Sequence, residues 1–199
     1  MPAPTRPVTG SQTRGDRTRA AIIDETVRCV LDEGFPAASA KHVAERAGVT
    51  WGVVQYHFGG PAGMFAAVVQ AGYDETVARL EAVTVTGESV RERVQGVVDA
   101  AWTAFSSPLT RAGFEILVAT RPHRDPADDA RLAEVGRQFH RLGALLSPER
   151  PDVGDLMFSA LRGLALNQMM LVREIDSRRE RALLVDVLTH YLHPDRSRT

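Results

Sequence analysis

Residues 39–58 read SAKHVAERAGVTWGVVQYHF, two short helical segments parted by a single glycine. Ser39 is placed to cap the first segment, in which Val43, Ala44 and Ala47 share one face. Gly48 ends it, because a residue that tolerates left-handed geometry closes such a turn at least cost. Thr50 is placed to cap the second segment. There Val54 and Phe58 recur at i, i+4 and leave Trp51, Gln55 and Tyr56 facing outward. Two helices joined by a four-residue turn, the second with an aromatic and amide face, read as a helix-turn-helix. A hairpin that merely packs has no use for Trp51, Gln55, Tyr56 and His57 on one short helix. The spacing therefore points to double-stranded DNA.

Ala44 to Phe58 follow the pattern AxxAGVTxGxxxYHF, which resembles the DNA-binding signature of the TetR family of bacterial transcriptional repressors. Gly34-Phe35 before it and Met64-Phe65 after it also fall where that family has its glycine-aromatic and paired apolar residues. The resemblance covers about the first third of the chain. It implies an all-helical architecture and a homodimer on a palindromic operator, released or retained by a small ligand. Carried over residue by residue, it implies that the Thr50–His57 helix enters the major groove. Gly52 then lets the backbone approach the DNA, and Lys41, Thr50, Tyr56 and His57 meet mostly phosphates. Trp51 is placed to stack on sugar or thymine methyl groups. Gln55 stands where relatives commonly have tyrosine, and its amide suits bidentate pairing with adenine. Pro61 stands where they often have lysine.

The chain as a whole sets wider bounds. Its 199 residues can bury a sizeable core, and 44% hydrophobic with 25% charged residues is a globular composition. No apolar run approaches the roughly 18 residues of a spanning helix, so no membrane partner is expected. The arginines at the N-terminus precede no apolar stretch of the kind a secretory signal needs. Cys29 is the only cysteine, which fits a reducing cytoplasm and reads as a small core residue. A net charge of −1 argues against a general polyanion binder, but a dimeric reader needs only a local basic surface. Residues 1–23 supply Arg6, Arg14, Arg17 and Arg19 against Asp16 alone.

Taken in order, residues 1–14 read as a disordered arm, 15–60 as a helix-turn-helix domain and 61–199 as a helical regulatory and dimerisation domain. The fold class is all-α, with about nine helices. The first runs from about Asp16 to Glu33, with Ile23, Val27, Val30 and Leu31 inward, and Phe35 plugs the base of the head. Gly59-Gly60-Pro61 makes a corner before a helix to about Ala82, proline being well tolerated in a first turn. That stretch lacks the lysine of a phosphate-binding loop. Ser89-x-x-Glu92 is a capping box, Ser107-Pro108 a second start, and Asp125-Pro126 with Asp128 and Asp129 a third. Asp152 is expected to cap a long helix to about Glu174, and Ser177-x-x-Glu180 opens the last, ending at Leu192.

Those last two helices are apolar on more than one side and so must bury more than one side. Either the bundle is wholly internal, or two helices from each of two chains meet in a four-helix interface. The resemblance favours the second, through Leu161, Leu164, Gln168, Leu184, Leu188 and Tyr191. For an effector pocket, Trp102, Phe105, Phe114, Phe139 and Met157 offer apolar walls, and His140, Asn167 and Gln168 polar anchors. Each apolar one serves equally well as core.

No enzyme is expected: a nucleophile elbow, a dinucleotide fingerprint and a Walker loop are all missing. His190 and His193 are spaced as H-x-x-H without further ligands, so neither a metal nor a cofactor is expected. The expected partners are operator DNA, an unidentified small molecule and a second copy of the chain. The competing reading is a helical ligand-binding or protein-interaction module without sequence-specific DNA recognition.

Overall fold

The computed structural model describes residues 14–123, 126–170 and 176–192, and these form nine α-helices and no strand. Residues 1–13 of the expected arm, Asp125, Leu171, Val172, Glu174 and His193 lie outside the described residues, and Arg14 already belongs to the first helix. Helix α1 spans Arg14–Glu33 and turns Ile22, Ile23, Thr26, Val27, Cys29 and Val30 inward. A short 3-10 turn over Phe35–Ala37 leads to α2, Ala40–Arg46, and then α3, Trp51–Phe58. Helix α4 runs Pro61–Glu81, about 30 Å at 1.5 Å per residue, long enough to reach from the head into the body.

The body comprises α5 (Val90–Phe105), α6 (Pro108–Ala119), α7 (Pro126–Leu146), α8 (Asp152–Met169) and α9 (Arg178–Leu192). Two of its starts form as the sequence predicts. Ser89 Oγ accepts from the Glu92 N–H while Glu92 reaches back to the Ser89 N–H, closing a full capping box. The Ser89 N–H, together with that of Glu88, holds the Glu92 carboxyl below its usual range. Ser107 Oγ accepts from the Thr110 N–H ahead of Pro108. The start of α8 is different. Asp152 is already helical, Pro151 precedes it, and its carboxylate accepts from the Tyr191 hydroxyl at 3.1 Å. It ties α8 to the far end of α9 and caps nothing. The helix is described to Met169, with Met170 as its cap, and the remainder of the expected span to Glu174 lies outside the described residues.

The crossing of α7 and α8 lacks room for a side chain at two positions. A Cβ on Gly154 would fall 1.9 Å from the Phe139 carbonyl oxygen, and one on Gly143 2.1 Å from that of Pro151, so α7 and α8 meet backbone to backbone. Between them lies an aromatic core: Phe105 stacks on Phe139 with centroids 5.6 Å apart, and Phe158 closes on Phe139 at 5.1 Å. Helix α4 packs on α1 and α3 at one end and on α5, α6 and α7 at the other. Helix α6 also lies against α1, so head and body share a packed junction. There Phe35 is half-buried against Phe65, its ring 4.9 Å away, and its N–H donates to Glu115 Oε1 at 2.9 Å. The plug at the base of the head is therefore also a contact with α6.

Candidate nucleic-acid interface

The turn between α2 and α3 is built as its residues require. Ser39 Oγ accepts from the His42 N–H at 3.3 Å, satisfying one orphan donor of α2. Gly48 takes φ 67°, a conformation open to glycine at little cost, and the Val49 N–H returns to the Ala44 carbonyl at 3.0 Å. Thr50 has the extended backbone of a cap, and the Val53 N–H donates to its carbonyl at 3.0 Å. Its hydroxyl makes no capping bond, contrary to the sequence expectation, and stays at an exposed position. Gly59 at φ 71° ends α3, its N–H on the Gln55 carbonyl at 2.9 Å.

On α3 only Val54 is buried. Trp51 is 44% exposed and Tyr56 84%, too much apolar surface for so short a helix to leave in water without a use. Gln55 and Gly52 are exposed with them, while His57 is half-buried with its ring edge-on to Tyr56 at 5.1 Å. Gly52 has negative φ, and a Cβ there would meet only Thr50 Oγ1, at 3.8 Å. Nothing inside the chain demands a glycine at that position. Gln55 is not idle: its Nε2 donates to the Gly59 carbonyl at 3.0 Å and must leave it to reach a base. Lys41, on α2, is exposed and lies 4.0 Å from Glu45.

A residue the sequence reading passed over fixes how α3 is presented. A Cβ on Gly63 would lie 1.9 Å from the Phe58 carbonyl oxygen, so the first turn of α4 sits directly on the end of α3. Arg19 of α1 covers the Phe58 ring from the other side, 5.2 Å from its centroid. Behind the turn, buried Glu25 pairs with Arg46 and Arg28, and Arg46 also pairs with Glu33. Desolvation works against ionisation of Glu33, yet the hydrogen bonds from His42 and Arg46 outweigh it and hold this carboxyl below its usual range.

The expected effector residues are not all brought together. A small cavity of about 20 Å³ between α4, α5, α6 and α7, room for about one water, is walled by Phe105 and Phe114. Its other walls include Val69, Tyr73 and Thr76 of α4, Thr110 of α6 and Leu132 and Val135 of α7. Phe139 and Met157 are instead wholly buried core. Trp102 lies under the Arg181 guanidinium, 5.0 Å from its centroid, and His140 is exposed beside Asp155 at 3.1 Å. Asn167 is exposed and Gln168 half-buried, both away from the cavity lining. The missed signal was Thr76 and Thr110, hydroxyls on otherwise apolar faces, whose oxygens meet at 3.0 Å.

The expected dimer contacts need a similar correction. Leu161 and Leu188 are wholly buried within the protomer and have no surface to offer a partner. Leu164 and Leu184 are half-buried against the same core, while Tyr191 is 39% exposed under Arg150. The leucines and valine that α8 and α9 do leave in water are Leu156, Leu183 and Val187. Residues 183, 187 and 191 form one i, i+4, i+8 stripe.

Comparison with known proteins agrees with this geometry. Residues 22–68 match the sequence model of the bacterial regulatory proteins, tetR family. A curated relative, the HTH-type transcriptional regulator BetI 1 of Chromohalobacter salexigens, is 34% identical over 84 residues, 41% of this chain and 41% of the relative. The match thus spans about two fifths of that relative's length. Among solved structures, the TetR family transcriptional regulator PfmR of Thermus thermophilus superposes with a TM-score of 0.64 at 14% identity, over 86% of this chain and 96% of that one. The ketosteroid transcriptional regulator KstR2 of Mycobacterium tuberculosis gives 0.61 at 18%, over 94% and 98%. At such identities the superpositions speak for the fold, and the lineage rests on the matched segment with its turn glycines and outward aromatic face: residues 22–68 are a segment of the bacterial regulatory proteins, tetR family, type.

Proposed function

We propose that the protein regulates transcription as a homodimer on a palindromic operator, acting as a repressor under the control of a small molecule. The observation that carries this reading is the exposed face of α3, where Trp51, Gly52, Gln55 and Tyr56 share a short helix wedged at its far end by Gly63. A helix of that kind fits the major groove, with its amide side chain for bases and its hydroxyls for phosphates. Thr50, His57 and Lys41 flank the contact in this reading, Lys41 on the DNA backbone.

Pairing of two protomers is assigned to the stripe Leu183, Val187 and Tyr191 of α9 with Leu156 of α8, apolar surface that an isolated chain leaves in water. Effector control is assigned to the cavity. It is closed to anything larger than about a water, so a ligand must part its walls, and two of those walls lead to the head. Helix α4 carries the Gly63 wedge, and α6 carries Glu115, which accepts the Phe35 N–H one residue along from the cavity wall Phe114. A ligand that spread α4 from α6 would therefore disturb both the wedge under α3 and the junction at Phe35. The lining favours a neutral, largely apolar molecule with one hydrogen-bonding group near Thr76 and Thr110.

A shift assay on DNA from upstream of the protein's own gene tests the first claim, and a footprint with and without candidate apolar metabolites tests the second. A protein that is folded and dimeric but binds no DNA from its own genome would instead be an interaction module.

A further inference from the structure

Apart from the α3 surface and the cavity, one group of metal-ligating side chains converges among the described residues. Cys29 and Glu33 stand one turn apart on α1, and His42 comes from the first turn of α2. A sulfur, a carboxylate oxygen and a ring nitrogen, one from each, lie within 4.8 Å of one another. Glu33 Oε2 and His42 Nε2 are already 2.9 Å apart. We propose that Cys29, Glu33 and His42 form a binding site for a zinc-class divalent cation that ties α1 to α2.

Three features support the assignment. The donor set is thiolate, imidazole and carboxylate, the combination that zinc accepts with a water in the fourth position. Arg46 holds the other carboxylate oxygen of Glu33, Oε1, and so leaves Oε2 turned towards His42. Such an outer partner is what orients a ligating carboxylate. Charge is the third. Burial pushes the Cys29 thiol up, so it keeps its proton until an ion binds. Glu25, Glu33 and the thiolate then formed, against the guanidinium of Arg46, leave two negative charges, which a divalent ion neutralises. Arg28 and Asp32, one of each sign, do not change that balance.

Access is one-sided. Cys29 is fully enclosed, whereas the side chains of Glu33 and His42 are 33% and 37% exposed, giving the ion a route and its fourth ligand a place. Binding releases one proton. The Cys29 thiol proton passes to water, neutral His42 moves its ring proton from Nε2 to Nδ1 through solvent so that Nε2 lends its lone pair, and Glu33 exchanges its bond to His42 for one to the ion. The bland account is a core cysteine beside a surface ion pair. It accounts for the contact of His42 with Glu33 but gives no reason for the thiol to lie within reach of both.

The test is a Co²⁺ titration of the full-length chain without an affinity tag, read by the ultraviolet sulfur-to-cobalt charge-transfer band. Cys29 is the only cysteine in the chain, so the band reports on it alone. We expect one equivalent per protomer, displacement by Zn²⁺, and no band in Cys29→Ser. His42→Ala and Glu33→Gln should each weaken binding by at least about tenfold. Zn²⁺ should raise the melting temperature of the natural protein and not that of Cys29→Ser. Should His42→Ala fail to fold, His42→Gln keeps a hydrogen bond to Glu33 and replaces it. A folded natural protein that gives no band overturns the proposal. So does a band that persists with unchanged affinity in the His42 and Glu33 variants, since the thiol would then be recruiting the ion by itself.

Discussion

Single side chains divide into those the sequence exposes directly and those whose partners only folding supplies. Gln55 is of the first kind: its offset from Val54 placed it outward, and it lies outward. Gln55→Ala should relax sequence preference at one base pair per half-site, a loss of about 1–3 kcal/mol, checked by binding to single-base operator variants. Equal weakening on all variants would make Gln55 a positioning residue. Glu33 is of the second kind, because its partners His42 and Arg46 lie on another helix. Its folded carboxyl binds a proton less readily than the unfolded one, whose ordinary value is 4.5. The stabilisation is therefore complete above that value and is lost as pH falls through the lower folded one. Melting of Glu33→Gln beside the natural protein should show a constant gap near neutrality that closes in acid. A gap that widened in acid would reverse the sign. The three candidate ligands stayed hidden for the same reason: Cys29 and His42 share no helical register in sequence, whereas the evident H-x-x-H leads nowhere described.

Helix starts and stops were the most legible elements, since a serine cap, a turn glycine or a first-turn proline acts on its own neighbours. Ser39, Ser89, Ser107, Gly48 and Pro61 all act where their types predict. Asp152 and Thr50 do not, and in each the side chain was free to choose another environment: Tyr191 for one, solvent for the other. What local rules miss is the fit between elements, as at Gly63. Pro61 belongs to this scale. It is exposed at the first position of α4 and has no cation to set against a phosphate. Pro61→Lys should add one phosphate contact per protomer. The slope of log affinity against log salt should then steepen by roughly 0.9 per protomer, or about 2 for a dimer, with base preference unchanged. A stably folded variant with an unaltered slope would mean that this corner does not face the DNA backbone.

At the scale of the whole molecule, periodicity marked α8 and α9 as doubly apolar but could not say which side faces the protomer's own core. Burial separates them. Leu188→Ala should cost about 2–5 kcal/mol in denaturant unfolding, because Leu188 is wholly enclosed. Val187→Arg, one residue away and 51% exposed, should leave the protomer folded and shift sedimentation to a monomer. If Val187→Arg sediments as the natural protein does, pairing uses another face. The chain also has two tryptophans, and the fold has put one in each half: Trp51 bare on α3, Trp102 sheltered beneath Arg181 in the body. They amount to a pair of built-in optical reporters. Operator DNA should quench or shift the Trp51 emission. In Trp51→Phe the remaining signal should report on the body alone, so events in the head and in the body can be followed separately in one cuvette without any label.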